Sequence, residues 1–324
     1  MSSFDRLTPL LERFRVRTHL LHTGPLCGVT RFGAEGRGYL HIVRSGAFEV
    51  EQRLPGVGVR RSTVTEPSLL FYPRPLAHDF YNPPHQGADF ACATIDFEGG
   101  SQHPLARALP PVLLVPLAEV DGLDEALTLL FAEIDRHRCG HRLIADRLFE
   151  VVLLQLLRWL LDHPDRAGLP PGLLTGIADP QLAPALLAVH EAPGQDWTLD
   201  TMAQRAAMSR SAFAARFRDR VGTTPLDYLT GWRLALARMW LRDGRPVKAI
   251  AADLGYANHS ALTRVFTQKV GCSPTVWLAR DRAGDSGAED AFDDRPGAAG
   301  DAQVVVEELA AVEIGPARGA RDGR

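Results

Sequence analysis

Cysteine is scarce in this chain: Cys27, Cys92, Cys139 and Cys272 are the four in 324 residues, and none forms a C-x-x-C pair. Such scattered cysteines speak against a disulfide framework. The opening run MSSFDRLTPLLERFRVR lacks the apolar core of a secretory signal, so a reducing cytoplasm is the expected location. Long apolar runs are also missing. The most apolar, residues 148–161, is too short to span a bilayer and is interrupted by Gln155 and Arg158, which makes it a buried helix and gives no membrane partner. Positive charge is in short supply as well, with a net charge of −3.

That deficit is uneven along the chain. Residues 1–179 carry 18 basic and 21 acidic side chains, residues 180–282 carry 14 and 8, and residues 283–324 carry 4 and 10. Only the middle segment is therefore basic, and a local positive field is what attraction to phosphates requires. Hydrophobic residues make up 45% of the chain, enough at this length for two cores and at least two domains.

The basic segment holds the most informative pattern. In IAADLGYANHSALTRVFTQKVG, residues 250–271, Ile250, Ala251 and Leu254 share one helix face and Leu262, Val265 and Phe266 another. Gly255 falls where the first helix must end in a left-handed turn, and the small Ala251 lets the second helix cross closely. This is helix-turn-helix spacing, although a solvated helical hairpin would read alike. The polar face of the second helix carries Asn258, His259, Ser260, Thr263 and Arg264, side chains suited to base edges and phosphates.

Repetition separates the two readings. About fifty residues upstream, WTLDTMAQRAAMSRSAFAARFRDRVG has the same grammar: Leu199, Met202, Ala203 and Ala206, a turn at Ala207-Met208, then Phe213 and Phe217. Thr198 and Ser209 are placed to cap its two helices. Between the units, TTPLDYLTGWRLALARMWLRDG reads as one helix, capped at Thr224, with Pro225 in its first position and Gly244 past its end.

Residues 179–282 resemble the DNA-binding domain of the AraC/XylS family of bacterial transcription regulators, on the strength of MSRSAFAARF, TPLDYLTGWRLALARMWL, IAADLGY, LTRVF and GCSPTVW in order. The resemblance implies base contacts from the outer face of each second helix. In the first unit these are Arg210, Ser211, Ala214 and Ala215, and in the second His259, Ser260, Thr263 and Arg264, with Ser209, Arg216 and Asn258 as further DNA-binding candidates. Ala207 stands where the family often has glycine, and Ala214 and Ala215 offer only methyl groups, which leaves hydrogen-bond readout by that helix thin. Arg216 lies beside the contact face, suited to a phosphate or to water.

The amino-terminal part reads as short strands broken by Gly and Pro: residues 38–54, 68–82 and the alternating ADFACATIDFE. The run PRPLAHDFYN resembles the second signature of cupin barrels, so residues 1–120 look like the cupin-type sensor found in one branch of the same family. The barrel suggests an effector pocket of Tyr39, His41, Phe71, His78, Phe80 and Cys92, although core packing accounts for the aromatic members equally well. Cupins often hold a metal, but the first signature here retains only His41. A zinc site of His41, His78 and Cys92 has suitable chemistry; isolated histidines on strands are more often hydrogen-bonded wall residues, so no metal, cofactor or catalytic residue is assigned.

The sequence thus predicts an α+β multidomain chain: a cupin-like β-barrel over 1–120, a helical and dimerising segment over 121–161, a Pro- and Gly-rich linker over 162–178, an all-α double helix-turn-helix domain over 179–282, and a disordered acidic tail over 283–324. The helix within 143–161 is apolar nearly all round and needs two partners, one of them a second subunit. The expected function is a non-enzymatic, sequence-specific transcription regulator. Its partners are double-stranded DNA, a small-molecule effector and a second copy, and the resemblance admits RNA polymerase as well. The alternatives are a metal-dependent cupin enzyme with an appended helical domain, and a ligand-independent protein-binding adaptor.

Overall fold

The computed structural model describes residues 5–289, apart from Glu35, Gln86 and His137. A short helix, α1 (Thr8–Leu11), precedes strands β1 (Val16–Pro25), β2 (Gly28–Phe32), β3 (Gly38–Ser45), β4 (Phe48–Leu54), β5 (Gly58–Val64), β6 (Ser68–Tyr72), β7 (His78–Asn82) and β8 (Asp89–Phe97). Helix α2 (Pro104–Ala108) and strand β9 (Leu113–Pro116) complete this half. The strands form two antiparallel sheets facing each other, one in the order β1-β8-β3-β6-β9 and the other β2-β7-β4-β5.

The five-stranded sheet is covered on both faces, and strand alternation assigns its side chains. Val43, Leu70, Tyr72, Phe90 and Cys92 point into the barrel. Their neighbours Leu40, Ile42, Leu69, Phe71, Ala91 and Ala93 point outward, against helices α3 (Leu123–Arg136) and α4 (His141–Asp162). Polar contacts fix this hairpin to the sheet. Arg44 of β3 makes a two-pronged contact with Asp135 at 3.1 and 2.8 Å, and the Leu20 backbone N–H donates to Asp146 Oδ1 at 2.6 Å.

The carboxy-terminal half is all helical: α5 (Leu173–Ala178), α6 (Ala183–Glu191), α7 (Leu199–Arg205), α8 (Arg210–Val221), α9 (Pro225–Arg242), α10 (Val247–Asp253), α11 (His259–Val270) and α12 (Pro274–Glu289). The capping expectations are met. Thr198 accepts from the Thr201 N–H, Ser209 from that of Ala212 and Thr224 from that of Asp227, while Gly244 takes φ 77 past the end of α9.

Three expectations need correction. The span 162–178 is not a simple linker, because its second half forms α5, whose Leu174 and Ile177 are fully buried. At Gly176 an added Cβ would lie 2.8 Å from side-chain methyls of both Leu186 and Val221, so a larger residue there would force those side chains to shift. The two halves do not have separate cores: one apolar cluster runs from Leu10 and Phe71 through Phe149 and Leu174 to Phe217 and Phe266. Finally, α12 continues past Arg282 to Glu289, and the rest of the acidic tail lies outside the described residues.

The seam between the halves is built from the residues entering the barrel. Phe14 meets Trp232 of α9 edge-on at 5.1 Å and His103 at 5.4 Å, and Arg13 donates to the Glu191 carbonyl at 2.8 Å.

Candidate nucleic-acid interface and barrel interior

The two helix-turn-helix units close their turns alike. In the first, the Met208 N–H donates to the Ala203 carbonyl at 3.0 Å, and in the second Tyr256 donates to Ala251 at 2.9 Å. The residue at each bend is left-handed, Ala207 with φ 52 and Gly255 with φ 72. The second helix of each unit starts at a side-chain cap, Ser209 for α8 and Asn258 for α11, and both caps are exposed.

On α8, Phe213 and Phe217 are buried, Arg210, Ser211 and Ala215 are exposed, and Ala214 is half-buried. Arg210 is paired with Asp200 of α7 at 2.9 Å. Arg216 departs from the expectation. Its Nε donates to Asp179 Oδ2 at 2.8 Å, and Asp179 is buried, its other oxygen accepting from the Gln181 and Leu182 N–H groups at the start of α6. An arginine that balances a buried carboxylate is a structural residue, since turning it to DNA would strand that charge. Its place on the outer face goes to Arg218, exposed and without an ion pair among the described residues. The helical period puts Arg218 in line with Ser211, Ala214 and Ala215, two residues beyond the last candidate that the sequence offers on α8.

On α11, His259, Ser260 and Arg264 are exposed and Thr263 is half-buried. These four line one open concavity together with Thr267 and Gln268, a turn further on, which are additional to the candidates named from the sequence.

Arg233 of α9 ties the units together. Its guanidinium donates to the carbonyls of Pro193 and Gln195, just before α7, at 2.8 and 2.9 Å, and lies 5.5 Å from the ring centre of Tyr256 in the second turn. Beside it the two backbones almost touch: a Cβ on Gly255 would sit 2.2 Å from the Gly194 carbonyl oxygen. That approach and the arginine staple leave the two outer faces little freedom to turn against each other.

The barrel interior is filled by rings. Tyr39, His41, His78, Phe80 and Cys92 converge there as expected, with Phe32, Tyr72 and Phe90. Phe71 does not join them. It faces α3 and α4, and Tyr72, one residue on, takes the inward position with its ring stacked on His78 at 3.8 Å. The histidines bond each other through their Nε2 atoms at 2.9 Å. His78 Nδ1 donates to the Leu76 carbonyl, so its Nε2 accepts from His41 Nε2–H, and the buried His41 Nδ1 is left with no partner. Burial pushes the pKa of His78 down to about 4 and that of His41 well below the usual range, with His78 and His22 adding to the latter. Burial also raises the Cys92 thiol, making it a poor nucleophile. The cupin metal does not fit these residues: the two histidines are spent on each other, and among the described residues no group of three or more His, Cys, Asp or Glu side chains could hold an ion.

Residues 5–162 match the family described as Cupin, and residues 202–280 the family described as Helix-turn-helix domain. A putative AraC-like transcription regulator of Streptomyces antibioticus is 38% identical over 192 residues, covering 58% of this chain and 61% of the relative. One of Streptomyces lividans is 38% identical over 177 residues, covering 54% and 58%. The RCS-specific HTH-type transcriptional activator RclR of Escherichia coli (strain K12) is 27% identical over 247 residues, covering 75% and 84%. The chain thus spans about three fifths of the length of the two Streptomyces relatives.

Proposed function

We propose that this chain is an AraC/XylS-type regulator with an amino-terminal cupin domain, and that it binds specific double-stranded DNA through α8 and α11 and regulates transcription there. The observation that carries the reading is the pair of outward faces, Arg210, Ser211, Ala214, Ala215 and Arg218 on one helix and His259, Ser260, Thr263, Arg264, Thr267 and Gln268 on the other, held in fixed relation by Arg233. The unit containing α11 supplies most of the hydrogen-bonding readout, because methyl groups dominate the middle of the α8 face. A cytoplasmic location follows from the same role. The barrel is given no catalytic part in this reading: inside it the Cys92 thiol is buried, and His41 and His78 bond each other.

Two rigidly joined units should contact two successive major-groove segments about one turn, ~10 bp, apart. Footprinting on DNAs with ~5 bp inserted between the two segments tests this, because the insertion rotates one segment to the far side of the duplex. Sharply reduced affinity is the expected result; unchanged affinity would mean that one unit alone reads DNA.

The second subunit is assigned to α4. Leu143, Ile144, Val151 and Leu154 are exposed on that helix, flanking an Arg147–Glu150 ion pair at 2.8 Å. In an antiparallel pair centred between residues 148 and 149, Leu143 lies opposite the partner's Leu154, and Arg147 opposite the partner's Glu150. The pattern is self-complementary in both shape and charge, as a two-fold interface requires.

A further inference from the structure

The two helix-turn-helix units differ in charge at equivalent positions. Each turn closes on a backbone carbonyl of its opening helix, that of Ala203 in α7 and that of Ala251 in α10. Three residues before these lie Asp200 and Lys248, each the second residue of its helix. The second helices begin with Arg210 in α8 and His259 in α11. All four side chains are exposed. The opening helix of such a unit crosses the DNA backbone, where a cation such as Lys248 suits the phosphates. A carboxylate in the same place is repelled by them, so Asp200 weakens DNA binding unless something offsets it.

Arg210 supplies the offset. Its Nε lies 2.9 Å from Asp200 Oδ1, and no other carboxylate pairs with it among the described residues. Neither terminal nitrogen, Nη1 or Nη2, makes a hydrogen bond among the described residues. Those two nitrogens are a fork that fits O6 and N7 of one guanine together. Arg210 also stands at the amino-terminal end of α8, the end of a recognition helix that meets base edges. An arginine fixed only on binding gives up rotamer freedom at that moment, whereas one already held does not.

We propose that Asp200 is a positioning residue for base reading: by gripping Nε it presets Arg210 to present its two terminal nitrogens to a guanine in the groove segment under α8. The same carboxylate works against other sequences. Where no guanine meets the fork, it keeps Arg210 from swinging to a phosphate and repels the backbone itself, so wrong DNA is penalised while right DNA is favoured. That role rests on the DNA-binding reading above and adds to it. The methyl-rich α8 face would carry one strong hydrogen-bonding contact, at its first residue.

The test starts from duplexes that the full chain selects out of a random-sequence pool. Single-base variants of a selected duplex identify the base pair whose identity ceases to matter in Arg210→Ala. A guanine preferred by about tenfold or more is expected there, as a bidentate contact gives. Asp200→Asn should cut that preference by about fivefold or more while raising affinity for unselected DNA. In the Arg210→Ala background, Asp200→Asn should change no base preference. Such a preference is a ratio between two duplexes, so a loss of folded protein does not move it. An unchanged guanine preference in Asp200→Asn overturns the proposal, as does an effect on base preference that persists without Arg210. Either result would leave Asp200 as a charge that steadies the first turn of α7. If Arg210→Ala acts at no guanine, the proposal fails and the regulator reading stands. If the pool yields no selected duplex, both fall.

Discussion

Ala207 and Gly255 occupy the same left-handed position in the two helix-turn-helix bends, at φ 52 and φ 72. For an alanine that conformation costs roughly 1–2 kcal/mol, partly offset by the smaller entropy an alanine loses on folding. Ala207→Gly should therefore stabilise the chain by about 0.5–1 kcal/mol in urea titrations. Gly255→Ala should cost more than about 2 kcal/mol, because its Cβ would also collide with the Gly194 carbonyl. A loss of stability in Ala207→Gly would contradict the strained turn.

Arg264 and Arg216 should behave oppositely. Arg264→Ala removes an exposed side chain from the α11 face and should weaken specific DNA binding by about 1–3 kcal/mol while affecting non-specific binding less. Arg216→Ala leaves Arg220, at 3.7 Å, as the cation beside the buried Asp179, which keeps its two backbone N–H donors. It should lower stability by about 1–2 kcal/mol, discounted because Arg216 is partly exposed, and leave the ratio of specific to non-specific affinity unchanged. Paired electrophoretic-shift and urea measurements on both variants decide the assignment.

Acid should unfold the chain through its buried histidines. Burial is the main cause that holds His78 and His103 at about 4 and His190 at about 3, all below the unfolded value near 6.5. On acidification the unfolded chain takes up these protons first, so stability is complete above about pH 6.5 and is lost as pH falls toward 4, by about 1.4 kcal/mol per group per pH unit. Urea midpoints at pH 7.5, 6 and 5 should fall progressively. A flat profile would mean that these side chains ionise inside the fold.

Placing charge on the outward face of α4 should separate subunits without unfolding them. Leu143→Glu combined with Leu154→Glu sets four carboxylates at the two-fold contact, and analytical ultracentrifugation should then show a monomer with an unchanged far-UV spectrum. A monomeric parent protein, or a double variant that remains dimeric, would remove α4 from the interface.

The helical half was legible because its signals are local. Thr198, Ser209 and Thr224 cap the helices they precede, and the spacing of Phe213, Phe217, Leu262 and Phe266 marks the inward faces. Arg216 was misread because its partner, Asp179, lies on another helix start that no periodicity reveals. Phe71 was misplaced for a different reason. Strand β6, SLLFY, is buried on both faces, so the polar alternation that tells inside from outside is absent. Helix α5 was hidden behind Pro170, Pro171 and Gly172, which announce a loop more loudly than six residues announce a helix.

The contact of Phe14 with Trp232 bears on how the chain is made. The entry segment of the barrel leaves the ribosome roughly two hundred residues ahead of the helix that will cover it, a delay on the order of 10–40 s at about 5–20 residues per second. Throughout most of that interval the face around Phe14 has only His103 of its own half to pack on, so until α9 emerges the nascent barrel exposes an apolar surface that holding chaperones would cover. A stop codon before α9 would make that wait permanent, and such truncated chains should aggregate or be degraded even though every strand of the barrel has been synthesised.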